Sequence, residues 1–136
     1  MAPGTALSIP VVNTECSSLE PPPFHGGTPA ERSACAKGWI DNLTDLFASI
    51  DGVTIQNLKQ YRVQTGDFQF TVPANNILGV PGPAVGFSSG DGYYLLLNPL
   101  SAGTHTIHIK GTFHDPSDPS IVVFPLDTML TIEVGR

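Results

Sequence analysis

Hydrophobic positions along the chain fall mostly in short runs with a period of two, the repeat of a half-buried strand. Phe68, Phe70 and Val72 alternate with Gln69 and Thr71. From Thr104 to Phe113, His105, Ile107, Ile109 and Phe113 face one way, while Thr104, Thr106, His108, Lys110 and Thr112 face the other. Leu7–Val12 is apolar and β-branched but contains Pro10, which cannot donate to a ladder, so it predicts an edge strand. Tyr93–Leu97 is almost uninterrupted apolar sequence and predicts a central strand. Val53–Leu58, Tyr61–Thr65, Ile121–Phe124 and Thr128–Val134 complete about eight strands.

A single helix is predicted, over residues 29–50. Thr28, Pro29 and Glu31 form a capping box with proline at the first helical position. Trp39, Leu43, Leu46, Phe47 and Ile50 then recur at the spacing of one helical face, with Gly38 as an interruption. Asn13–Thr28 reads as an irregular loop, and residues 73–92, rich in glycine and proline, as a long one of the kind that often carries function. Nothing alternates as strand, helix, strand. The pattern predicts one all-β domain over 1–136: a two-sheet antiparallel β-sandwich of jelly-roll or immunoglobulin-like type, with the helix packed on or beside it.

Composition narrows the function. Six Lys+Arg stand against twelve Asp+Glu, a formal charge of −6. So few cations in an acidic chain argue against nucleic-acid binding, which needs a basic face. With 40% hydrophobic residues the chain is not an acidic disordered segment. No run approaches the roughly 18 apolar residues of a membrane span, so no membrane insertion is expected. No basic leader precedes the apolar stretch broken by Pro10, so no signal peptide is read at the start. No nucleotide or organic cofactor is expected.

Two cysteines, Cys16 and Cys35, flank a segment containing Pro21, Pro22, Pro23, Gly26 and Gly27. A disulfide between them would close a loop of about 20 residues and requires an oxidising compartment; the alternative is two buried free thiols.

Three stretches, Asn13–Phe24 (NTECSSLEPPPF), Asp91–Gly111 (DGYYLLLNPLSAGTHTIHIKG) and Phe124–Val134 (FPLDTMLTIEV), together resemble an uncharacterised family of secreted bacterial β-sandwich proteins. The resemblance runs over nearly the whole chain and implies a secreted or periplasmic protein, without implying any chemistry. Family members carry a further N-terminal segment with a secretion signal, and this sequence resembles them from Pro3 onward. Missing first strands would leave an exposed edge strand that a homodimer would cover.

Candidate chemistry is dispersed. Gly86-Phe87-Ser88-Ser89-Gly90 fits G-x-S-x-G, yet a strand rather than a helix follows, so the nucleophile-elbow context is absent. If Ser88 were a nucleophile, His105 near a strand end would be its base, with Asp91 beside it. His105 and His108 are three apart and cannot share a face of a regular strand, so no local zinc or copper triad is encoded. Asp115, Asp118, Asp91 and Asp127 sit at predicted loops or strand ends, where oxygen-rich turns of extracellular modules bind Ca²⁺; ordinary solvated turns give the same pattern. Tyr93 and Tyr94 occupy opposite faces of one strand, so one of them is free to line a ligand site for a small neutral molecule or glycan.

Two readings follow: a Ca²⁺-dependent extracytoplasmic hydrolase of a neutral ester or lactone, and a non-catalytic secreted module for a glycan or protein ligand, stabilised by Ca²⁺ and a disulfide. Fold alone does not choose between them.

Overall fold

The computed structural model describes residues 1–135. The described residues form an all-β fold with one α-helix. Its strands are β1 (Leu7–Ser17), β2 (Thr44–Ile50), β3 (Val53–Thr54), β4 (Arg62–Gln64), β5 (Phe68–Val72), β6 (Ala84–Leu97), β7 (Gly103–Asp115) and β8 (Asp118–Val134), with α1 (Pro29–Asp41) between β1 and β2. They form two four-stranded antiparallel sheets, β1-β6-β4 with β5 also paired to β6, and β3-β2-β7-β8. As Pro10 requires, β1 is an edge strand, and as the apolar run around Leu95 requires, β6 is central.

The chain divides into two compact units. The first comprises Met1–Asn13, Asn42–Val63 and the chain from Gly92 onward. It holds the sandwich core: Ile9, Val11 and Val12 of β1 and Tyr93 and Leu95 of β6 are buried, as are Ala48 of β2 and Ile107 and Ile109 of β7. The two layers approach closely at Gly111, where a Cβ would lie 2.7 Å from Val12 Cγ2. Even a methyl group there would force the layers apart.

The second unit comprises Thr14–Asp41 and Gln64–Asp91. In it α1 starts where the capping box predicts: the Thr28 hydroxyl accepts from the Glu31 amide at 3.2 Å, and the Glu31 carboxylate accepts from the Thr28 amide at 2.9 Å. The buried Trp39 stacks on Phe24 with ring centroids 5.0 Å apart. Cys16 and Cys35 form a disulfide that ties β1 to α1.

Two predicted boundaries are corrected. The helix ends at Asp41 rather than near residue 50, and residues 44–50 are β2. The register shift between Thr44 and Phe47 breaks the period-two alternation, so the apolar residues of this strand fall at helical spacing. Residues 44–50 pair instead with β7, from Thr44↔Thr112 to Ile50↔Ile107. The predicted loop 73–92 ends at Pro83, because β6 begins at Ala84. Its glycines sit inside the strand for lack of space: a Cβ on Gly86 would lie 2.7 Å from Leu19 Cγ, and one on Gly92 would lie 2.6 Å from the Val12 carbonyl. Smaller differences lie in residues 13–17, read as loop but forming the end of β1, in 53–58, where only Val53–Thr54 is strand, and in 118–134, where two predicted strands are one. Among the described residues no helix is long and apolar enough to cross a membrane.

Candidate functional site

In the second unit the polar residues converge on β6. Ser88 and Ser89 are buried within that strand, so G-x-S-x-G lies in extended chain. Ser88 Oγ donates to the Glu15 carboxylate in a short bond, and the Cys16 carbonyl is 3.3 Å from the same hydroxyl. Ser89 Oγ donates to Asp67 Oδ1 at 3.1 Å. Asp67 is also gripped by Arg32, whose Nε and Nη2 donate to its two oxygens at 2.6 and 2.8 Å. Arg32 is only 3% exposed, its Nη1 donates to the Gly26 carbonyl at 3.1 Å, and its guanidinium lies 5.6 Å from the Phe87 ring centroid. The Arg32 bonds hold the Asp67 carboxyl below the usual carboxylate range, against the opposing effect of desolvation. Glu20, close to Glu15, behaves oppositely. Burial pushes its carboxyl up, and its Oε2 is buried with no hydrogen-bond partner among the described residues.

Asp91 is fully buried in β6. In the first unit Tyr93 is buried and Tyr94 half-exposed, as alternation on one strand demands.

His105, also in the first unit, has both ring nitrogens engaged. Nδ1 meets Asp51 Oδ2 at 2.7 Å and Nε2 meets the Ser101 carbonyl at 2.9 Å. Both partners are acceptors, so the doubly protonated ring fits, and the Asp51 bond above all pushes the His105 pKa up. Asp51 sits at φ 50° in the turn between β2 and β3 and also accepts from the Thr106 amide at 2.8 Å. The His105 bond first, then the Thr106 amide, hold its carboxyl below the ordinary value.

These two shifts set a pH window. The His105 contribution to stability is complete below about pH 6.5, its unfolded value, and is lost as pH rises through the raised folded value. The Asp51 contribution is complete above about pH 4 and is lost as pH falls through the lowered folded value. The pair therefore stabilises most between about pH 4 and 6.5. Asp51→Asn is expected to lower the melting temperature most at pH 5–6 and least above pH 8. Thermal unfolding of both proteins across that range checks this, and a pH-independent difference would remove the charge pair from the account.

Of the remaining candidates in the first unit, Asp115 and Asp118 sit at the β7–β8 turn, whereas Asp127, expected at a loop or strand end, lies in the middle of β8 opposite Lys110. Asp127 accepts from His108 Nε2 at 2.6 Å and pairs with Lys110 at 2.8 Å, and the Lys110 bond is the main cause of its lowered pKa. Asp115 Oδ1 accepts from the Ser117 amide and hydroxyl at 2.8 and 2.7 Å; Asp118 Oδ1 does the same for Ser120 at 3.1 and 2.7 Å. These are Asx turns that shape the hairpin. Among the described residues no group of three or more His, Cys, Asp or Glu side chains is arranged to hold a metal ion.

The structure thus joins Ser88 to Glu15, His105 to Asp51 and Asp127 to His108 and Lys110. Sequence reasoning passed over Arg32, Asp67 and Asp51. The one available signal was that Arg32 is among only six Lys+Arg in the chain. Comparison of the chain with protein families, curated proteins and solved structures yields no match.

Proposed function

We propose that the protein is a non-catalytic module working in an oxidising, extracytoplasmic compartment, where it offers its strand edges and exposed side chains to a protein or glycan. One observation carries this reading. The Ser88 hydroxyl, both His105 nitrogens and one carboxylate oxygen each of Asp115 and Asp118 are occupied by hydrogen bonds that shape their own unit. A nucleophile has to reach substrate, whereas Ser88 is 0% exposed. The Cys16–Cys35 disulfide is compatible with the compartment.

The competing reading is a Ca²⁺-dependent hydrolase of a neutral ester or lactone, in which the ion would polarise a carbonyl. One experiment separates the two. The protein is stripped with EDTA and offered a panel of esters and lactones with and without Ca²⁺, while its melting temperature is followed. The expected result is no turnover above buffer in either condition. Turnover that needs Ca²⁺, or that falls in Ser88→Ala or His105→Ala, would overturn the module. A melting temperature raised by Ca²⁺ without turnover would make the ion part of the module.

A further inference from the structure

We infer that the protein forms a two-fold homodimer in which the β8 strands of two copies pair antiparallel about Met129, joining their β3-β2-β7-β8 sheets into one. The inference rests on the backbone of β8 and is independent of the module reading.

β8 ends its sheet and is 17 residues long, whereas β3 at the opposite edge has two. The direction of its backbone groups follows from two observations. Thr106, opposite Thr131, uses its amide and carbonyl on Asp51, away from β8. Thr131 therefore turns its own amide and carbonyl outward, since opposed residues in an antiparallel ladder either both face in or both face out. Independently, the Met1 ammonium donates to the Glu133 carbonyl at 2.6 Å, and the Gly135 amide donates to the Met1 carbonyl at 2.9 Å, so Glu133 also faces out. The register is unbroken from Gly103↔Val134 to Phe113↔Phe124, so Asp127 and Met129 face out as well, together with Pro125.

This edge is closed at both ends. Pro125 has no amide to offer, and Met1 already occupies the Glu133 carbonyl. Between them Asp127, Met129 and Thr131 present amides and carbonyls to which no strand pairs among the described residues. A two-fold axis through Met129 maps that window onto itself. Met129 faces Met129 of the partner subunit, and Asp127 faces Thr131 of the partner subunit. Each opposed pair exchanges two backbone bonds, about six in all.

Charge and apolar exposure favour a second copy as the occupant. In a chain of charge −6, Asp127 is the only charged residue between Asp118 and Glu133, and the Lys110 ammonium pairs with it. The strand has no Lys or Arg to discourage pairing. Ile121, Val122, Val123, Phe124, Met129 and Leu130 are each 39–64% exposed along it. Met129 and Leu130 lie at the axis and bring their exposed apolar surface into the joint, whereas residues 121–124 lie beyond Pro125, outside the paired window.

Light scattering on the size-exclusion peak, over a wide concentration series, tests the inference. The expected mass is twice 14.4 kDa. Met129→Lys places two ammonium groups face to face and Thr131→Asp sets carboxylates opposite Asp127 of the partner subunit; both are expected to elute as folded monomers whose melting temperature, unlike the wild type's, does not rise with protein concentration. Val53→Lys, at the far edge, should remain dimeric. Met129→Cys should cross-link two copies under mild oxidation, because directly opposed residues lie within disulfide reach. A wild-type monomer throughout the series overturns the inference. So does a dimer that survives both Met129→Lys and Thr131→Asp, or one that Met129→Cys fails to cross-link.

Discussion

Replacing Cys16 and Cys35 together by alanine is expected to reduce stability by about 3 kcal/mol. The two residues are 19 apart in sequence, and an unlinked chain regains the freedom of that loop on unfolding. The unit they join has little apolar core to compensate. Its buried apolar side chains are Cys16 itself, Ala36, Trp39, Ile40 and Val72, and units with so small a core are commonly stapled. Urea unfolding of wild type and double variant, with the midpoint compared at fixed slope, measures the loss. Reduction of the wild type should reproduce it. A difference under about 0.5 kcal/mol would mean that other bonds already hold the Asn13–Thr28 segment in the unfolded ensemble.

Asp67→Ala is expected to lower the melting temperature by on the order of 10 °C, because it strips the counter-charge from a buried guanidinium. The Ser89 hydroxyl loses its acceptor in the same step. Arg32→Met should do less damage. It removes the charge that needs compensation and keeps an apolar stem, losing only the guanidinium over the Phe87 ring. Thermal unfolding of the two single variants and the double discriminates the causes. If Asp67→Ala costs no more than Arg32→Met, the stranded charge is not what destabilises.

Much of the architecture was legible from individual residues. The alternation of Phe68, Phe70 and Val72 marks β5 to its ends, and Pro10 puts β1 on an edge. The Thr28–Glu31 pair fixes the start of α1. Its end was not legible for a local reason. The β2–β7 pairing shifts register between Thr44 and Phe47, and Asp45 there adopts φ 56°, so the segment does not alternate. The spacing of Leu43, Leu46, Phe47 and Ile50 then imitates a helix. In β6, glycines imposed by close neighbours read as loop glycines. The site was less legible still. Arg32 and Asp67 are 35 residues apart, and Asp51 and His105 are 54 apart. No spacing rule joins residues that only the sheets bring together. The Cys16–Cys35 pairing was accessible because the chain has only two cysteines.

The β7–β8 pair has a kinetic consequence. The β2–β7 ladder, in which Ala48 finds Ile109, spans several intervening elements, and such non-local ladders close slowly. β7 and β8 are consecutive and joined by a tight turn, so their hairpin can form on the microsecond scale while the rest of the chain is still open. During that interval the hairpin shows both its unpaired edge and the apolar face meant for the opposite sheet. Refolding yield should therefore fall as protein concentration rises, with productive closure and intermolecular capture competing for the same strand.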